Sequence, residues 1–245
     1  MGDEFPREDA FDEDYLYFYE ELLTPERTAA DVELVWRLLE LSPGLELLDL
    51  ACGHGRIANA LAERGVRMTG LDATPLFLDL ARADAGERGV DVDYVEGDMR
   101  AIPWSDRFDR VLCWFTSFGY FSDEQNRAVL AGAYRALRPG GSFVVEMNNR
   151  DNLLGRYAEE TVSERGEDRM IDRHRFDDET SRSFDQRTVI RGGKSRTFEF
   201  SVRMFSAVEL QDWLGAAGFR DTRAFGEDGE PLTLEHRRMA VAGRK

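Results

Sequence analysis

Leu47-Leu-Asp-Leu-Ala-Cys-Gly-His-Gly-Arg-Ile-Ala58 decides the fold: an apolar run breaks at two glycines and resumes as an amphipathic segment. Residues 45–50 have the length and character of a buried strand, and residues 55–64 those of a helix closed by Gly65. Without a Cβ, Gly53 and Gly55 let a ligand lie against bare backbone. The helix that follows offers unpaired N–H groups and the positive end of its dipole. Ligands of open parallel sheets bind in this crevice, beyond the carboxyl end of the first strand.

Outward from that stretch the chain alternates strand and helix. Strands are predicted at 66–71, 92–95, 108–115 and 142–147, with helices opening at Thr74-Pro75 and at the capping box Ser122-Asp-Glu-Gln125. This rhythm predicts an α/β fold with a doubly wound, mostly parallel sheet. After Asn149 the rhythm changes. Phe198, Phe200, Val202 and Met204 alternate with polar neighbours, and turn signals fall at 177–180 and 192–193, predicting a three-stranded antiparallel insertion. A helix after Ser206 and two strands near 221–225 and 237–242 would complete a seven-stranded sheet. Residues 15–41 read as helix, broken at Thr24-Pro25, and the acidic residues 1–14 as mobile. The division is a helical lid (1–41), a cofactor-binding core (42–149), an antiparallel insertion over the substrate pocket (150–205) and a closing helix with the last strands (206–245).

Composition narrows the class. The 245 residues suit one α/β domain with an insertion, and 42 % hydrophobic with 33 % charged residues describe a soluble chain. No apolar run approaches the roughly 20 residues of a membrane span, and the acidic start is unlike a secretory signal, so a cytoplasmic location is expected. A net charge of −16 disfavours nucleic acid as a partner. Cys52 and Cys113 lack metal-binding spacing and only three histidines accompany them, so no metal is expected. A homo-oligomer is compatible with all of this.

A Gly-x-Gly after a strand also fits a dinucleotide site, which keeps a nicotinamide-dependent oxidoreductase as an alternative. Three features shift the reading. Asp49 lies inside the first strand, Asp72 ends the second where a carboxylate can accept both hydroxyls of a ribose, and Gly97-Asp98-Met99 follows the third. With Leu137-Arg-Pro-Gly-Gly141, these motifs resemble those of class I S-adenosylmethionine-dependent methyltransferases, over residues 45–148. The resemblance implies a Rossmann-like methyltransferase fold and S-adenosylmethionine as cofactor, with S-adenosylhomocysteine as product. It implies that Ala51, Gly53 and Gly55 line the methionine end, that Asp72 binds the ribose, and that Asp98 and Met99 meet the adenine. Ala73 and Cys113 complete the expected cofactor contacts. Leu22-Leu-Thr-Pro-Glu-Arg-Thr28, Cys52-Gly-His-Gly-Arg56 and Trp114-Phe-Thr-Ser-Phe-Gly-Tyr-Phe121 further resemble actinobacterial small-molecule N-methyltransferases of lincosamide-like antibiotic pathways.

Methyl transfer from a sulfonium needs alignment and exclusion of water above all. The aromatic segment 114–121 supplies faces that hold cations, so Phe115, Phe118 and Tyr120 are expected to wall the acceptor pocket. In the lid, Tyr15 is assigned to the acceptor, Tyr17 to the cofactor, and Arg27 to the methionine carboxylate. Asn148 and Asn149 are placed to hydrogen-bond a polar acceptor. His174, in the insertion, is the expected proton acceptor. The function read from the sequence is therefore methyl transfer to a small-molecule amine, with oxygen as the alternative acceptor atom. A protein that binds S-adenosylmethionine without catalysis is the remaining alternative.

Overall fold

A computed structural model of the chain describes residues 5–245. In chain order the elements are α1 (Arg7–Ala10), α2 (Glu13–Tyr19), α3 (Pro25–Leu38), β1 (Glu46–Leu50), α4 (Arg56–Glu63), β2 (Arg67–Asp72), α5 (Pro75–Arg88) and β3 (Val92–Glu96). They continue as β4 (Phe108–Cys113), α6 (Asp123–Ala136), β5 (Leu137–Asn148), α7 (Arg150–Gly155), β6 (Glu160–Arg165), β7 (Asp168–Asp177), β8 (Arg182–Arg191) and β9 (Lys194–Arg203). The chain closes with α8 (Ala207–Ala217), β10 (Arg220–Gly226) and β11 (Arg238–Arg244).

Seven strands form one sheet in the order β10-β11-β5-β4-β1-β2-β3, in which β11 runs against its neighbours β5 and β10. Alternation along β1 divides the core between the two faces. Leu48 and Leu50 pack with Val111, Phe143 and Phe205 on one side, Leu47 with Leu61, Leu78 and Leu112 on the other. The order reverses direction at β1, between β2 and β4, so a crevice opens beyond its carboxyl end. The helix starts follow the caps in the sequence. Thr24 Oγ1 accepts from Arg27 N at 3.2 Å, and Ser122 with Gln125 forms the full capping box.

Two expectations change. The insertion is a four-stranded sheet, β6-β7-β8-β9, rather than three-stranded. β6, Glu160-Thr-Val-Ser-Glu-Arg165, carries a single apolar residue and is exposed along most of its length, so it has no period to read; its pairing to β7 makes it a strand. Of residues 1–14, expected to be mobile, 1–4 lie outside the described residues and 5–14 contain α1 and the start of α2, where the half-buried rings of Phe5 and Phe11 pack against Tyr120 at 4.6 and 5.7 Å.

The N-terminal segment expected to form a lid is joined to the insertion by charge. Arg196 pairs with Asp12 and, at 2.9 Å, with Asp14, while Arg191 reaches Asp14 at 2.9 Å. Arg165 donates to the backbone oxygen of Tyr17 at 2.7 Å and pairs with Glu20 at 2.6 Å. Partial burial raises the Asp14 pKa, but the bonds from Arg191 and Arg196 outweigh it and hold the carboxyl below its ordinary value. A depressed carboxylate contributes its stability above the ordinary range and loses it as the pH falls through the lowered value. Arg196→Ala is therefore expected to speed amide hydrogen exchange across residues 5–23 at neutral pH. The same loss of protection, taken relative to the intrinsic exchange rate at each pH, should occur in the parent chain once the pH drops below the Asp14 value. Equal protection in variant and parent would show that the latch carries no weight.

Candidate active site

Beyond the ends of β1, β2 and β4 lies a cleft of about 1070 Å³. Pockets for a single small ligand span roughly 300–1,000 Å³, so this one has room for a cofactor and an acceptor together. Its floor is the turn after β1. Ala51 and Gly53 there adopt left-handed conformations, φ 55° and 56°, and Gly53 faces open space save for Phe77 at 4.0 Å from where a Cβ would stand. Asp72, at the end of β2, holds the turn: Gly53 N and Thr74 N each donate to its carboxylate at 2.8 Å. Burial raises the Asp72 pKa, and those backbone bonds only partly offset it. Asp49, one strand-turn below, is 3 % exposed; burial drives its pKa to about 8, with Arg56 opposing and Asp72 adding.

Above the floor, Phe115 and Thr116 follow β4 with two successive left-handed residues, φ 60° and 56°, a conformation that costs a non-glycine residue about 1–2 kcal/mol. Glu146 of β5 holds them there. Its carboxylate accepts from Phe115 N at 2.7 Å, its backbone oxygen accepts from Thr116 N at 3.1 Å, and Arg238 pairs with it from β11. The result presents the Phe115 ring to three guanidinium groups, those of Arg27, Arg56 and Arg238, at 5.6, 5.2 and 4.8 Å. Asp31 and Glu146 balance two of the three charges, since Asp31 lies 2.8 Å from Arg56 and 3.6 Å from Arg27. One net positive charge remains, which suits one ligand carboxylate. Trp114 Nε1 and Thr116 Oγ1 are buried there without a hydrogen-bond partner among the described residues.

The far wall belongs to the lid and the insertion. Tyr15 and Tyr19 stack at 4.2 Å, with Tyr120 and Phe200 beside them lining the cleft. On β7, His174 Nδ1 is hydrogen-bonded to Asp185 of β8, and its Nε2 lies 3.0 Å from Thr161 Oγ1. The bond to Asp185 raises the His174 pKa more than partial burial lowers it. Because Asp185 accepts from Nδ1–H, the neutral ring leaves Nε2 as the acceptor.

Most residues singled out from the sequence meet in this cleft. Ala51, Gly53, Asp72, Ala73, Asp98 and Met99 line its floor, and Tyr15, Arg27, Phe115, Tyr120, Asn148 and His174 its walls. Asp98 arrives already engaged, its carboxylate bound by Arg100 at 2.6–3.0 Å. Five residues do not reach the cleft lining. Tyr17 sits two positions from Tyr15 and Tyr19, so it faces outward and lies between Arg165 and Arg191 at 4.2 and 4.1 Å. A Cβ on Gly55 would stand 2.2 Å from Tyr94 Oη, so that glycine serves helix packing rather than a ligand. Phe118 and Cys113 are fully buried in the core, Phe118 stacked on Phe205 at 5.6 Å. Asn149 caps α7 and donates to the backbone oxygens of Thr233 and His236 at 3.2 and 2.8 Å. Sequence reading passed over Glu146, Asp172, Asp185 and Arg187. For three of these a signal existed, since Asp172-x-His174 and Ser183-x-Asp185-x-Arg187 alternate at strand period with polar groups on one face.

Proteins similar to this chain include methyltransferases. The methyltransferase-domain family matches residues 47–141, from β1 to the bend in β5. The cypemycin N-terminal methyltransferase of a Streptomyces species is 29 % identical over 203 residues, covering 81 % of this chain and 82 % of its own. The chain carries a methyltransferase domain and is an S-adenosylmethionine-dependent methyltransferase. The nicotinamide oxidoreductase and the non-catalytic binder are thereby set aside, and the cofactor is S-adenosylmethionine. Other relatives match the methyltransferase only in its core: the demethylmenaquinone methyltransferase of Thermus thermophilus is 39 % identical over 121 residues, and the chain spans 54 % of its length. Among solved structures, the CcbJ methyltransferase from Streptomyces caelestis superposes with a TM-score of 0.76 at 22 % identity, covering 99 % of this chain and 96 % of its own. The sugar N-methyltransferase KedS8 from a Streptoalloteichus species gives 0.69 at 24 % identity, covering 100 % and 98 %. At these identities the superpositions establish the fold. No helix among the described residues of the methyltransferase is long and apolar enough to cross a membrane.

Proposed function

We propose that this methyltransferase methylates the nitrogen of a small-molecule amine. The observation that carries the reading is one continuous cleft, running from the glycine turn to an aromatic wall that holds the His174–Asp185 pair. KedS8, described as a sugar N-methyltransferase, and the cypemycin N-terminal methyltransferase both support nitrogen as the acceptor atom. When bound, S-adenosylmethionine supplies an electrophilic methyl group on a sulfonium. Asp72 accepts the ribose hydroxyls, Ala51 and Gly53 lie along the methionine backbone, and Arg27 with Arg56 binds its carboxylate. Ala73, Asp98 and Met99 border the adenine. Tyr15, Phe115 and Tyr120 close around the amine and exclude water, while Asn148 steadies its polar side. As the nitrogen lone pair takes the methyl group and the thioether leaves as S-adenosylhomocysteine, the ammonium so formed gives its proton to His174 Nε2, directly or through the Thr161 hydroxyl.

Incubating the enzyme with S-adenosylmethionine and matched panels of amines and phenols tests this, with methylated product read by mass spectrometry. Methylated amines are expected; a panel in which only the phenols are methylated overturns the nitrogen assignment. His174→Gln should lower kcat by about 10²-fold and leave cofactor affinity unchanged. In the parent enzyme the rate should rise as the pH climbs through the raised His174 pKa, because the neutral ring is the active form. An unaltered pH profile in the variant would return His174 to a structural role.

A further inference from the structure

The face of the insertion sheet that closes the cleft carries two polar rungs. In the β7–β8 register His174 lies opposite Asp185, and Asp172 opposite Arg187. Side chains on one face of a strand recur every second residue, so the rungs stand about 7 Å apart. Asp172, Asp185 and Arg187 are 8 %, 7 % and 8 % exposed, yet all three line the cleft. Charged groups this deeply buried are kept where they have partners, and each rung supplies its own. Each also leaves one atom unspent. Asp185 Oδ1 accepts from His174 and, at 3.0 Å, from Ser183 Oγ, while Oδ2 makes no hydrogen bond among the described residues. Arg187 commits Nε and Nη2 to Asp172 at 2.7 and 2.9 Å, and Nη2 also reaches Tyr19 Oη at 3.4 Å. Its Nη1 makes none among the described residues, and both Asp185 and Arg187 line the cleft. Phe200 and Tyr19, at 5.4 and 5.9 Å from the guanidinium, hold Arg187 in place.

An apolar acceptor body would strip water from a carboxylate oxygen and a guanidinium nitrogen and give nothing back. We propose that the two rungs form a hydroxyl-recognition subsite, Asp185 Oδ2 accepting from one hydroxyl and Arg187 Nη1 donating to a second oxygen. The acceptor is then a hydroxylated cyclic amine of amino-sugar or aminocyclitol size. The rung spacing suits two oxygens on well-separated positions of a six-membered ring, and the tyrosine and phenylalanine faces suit its C–H surface. This deepens the amine-methylating reading and rests on it.

Calorimetry on the full chain loaded with S-adenosylhomocysteine tests the subsite, with methyl 3-amino-3-deoxyglucopyranoside and cyclohexylamine as probes. The amino sugar is expected to bind about 100-fold more tightly, because each charged hydrogen bond left unmade lowers affinity by about tenfold or more. The double variant Asp172→Asn/Arg187→Gln removes both buried charges together, and its preference should fall below about tenfold. Arg187→Lys keeps the ion pair without Nη1 and should show the same loss if the double variant fails to fold. Retained S-adenosylhomocysteine binding certifies each variant. Equal binding of the two amines by the parent enzyme, failure of both to bind, or a preference that survives in both variants overturns the subsite. Methylation is read separately in the presence of S-adenosylmethionine. A binding preference without methylation of either probe would sink the amine-methylating reading instead.

Discussion

Asp72→Ala raises the dissociation constant for S-adenosylhomocysteine by about 10²- to 10³-fold. Two effects combine. The proposed ribose contacts are hydrogen bonds to a charged acceptor, worth about 1.5–3 kcal/mol each, and a tenfold change in affinity corresponds to about 1.4 kcal/mol. The same carboxylate accepts from Gly53 N and Thr74 N, so its loss also frees the turn proposed to carry the cofactor. Removing a turn anchor destabilises the ligand-free protein too, and a lower melting temperature of the apo variant is expected alongside the weaker binding. Asp72→Asn keeps one acceptor oxygen and should lose about tenfold less than the alanine variant. Calorimetric titration of the three proteins checks the order. An unchanged dissociation constant in Asp72→Ala takes this residue out of the site.

Deletion of residues 1–23 lowers turnover by about 10²-fold or more while S-adenosylhomocysteine still binds. The deletion leaves Thr24 to cap α3, whose Val32, Leu34 and Val35 stay buried in the core, so the sheet keeps its cover. What disappears is one wall of the cleft: Phe5, Phe11, Tyr15 and Tyr19 line it in the intact chain. Water then reaches the transferring methyl group and the acceptor loses its alignment, two losses that fall on catalysis rather than on cofactor binding. Single-turnover measurement with saturating cofactor separates the two. Full turnover in the truncated enzyme would reduce the aromatic cluster to packing.

The half of the molecule proposed to hold the cofactor had a readable fold because its signals are local. Strand, glycine turn and helix follow one another at residues 47–58, and the acid at Asp72 ends the next strand, so spacing along the chain equals adjacency in space. The half of the cleft proposed for the acceptor is assembled from three distant segments, the N-terminal helices, the loop after β4 and the insertion, and no local pattern states that they meet. Tyr17 shows the failure in miniature. Its residue type suits a pocket, but only the lid's docking decides which side of α2 faces the cleft. Gly55 shows another: a glycine beside a ligand turn is equally required when Tyr94 packs against its backbone. β6 escaped notice because an exposed edge strand owes its existence to a partner rather than to a hydrophobic period.

Arg196, Arg191 and Arg165 on the insertion grip Asp12, Asp14 and Glu20 on the lid. Engineering a chimera must respect that match. Transplanting the insertion of another enzyme without its own N-terminal segment would set foreign side chains against these carboxylates and leave the pocket ajar. The two pieces travel as a couple, and a graft that carries both can acquire a new acceptor preference while the sheet and its cofactor turn remain untouched.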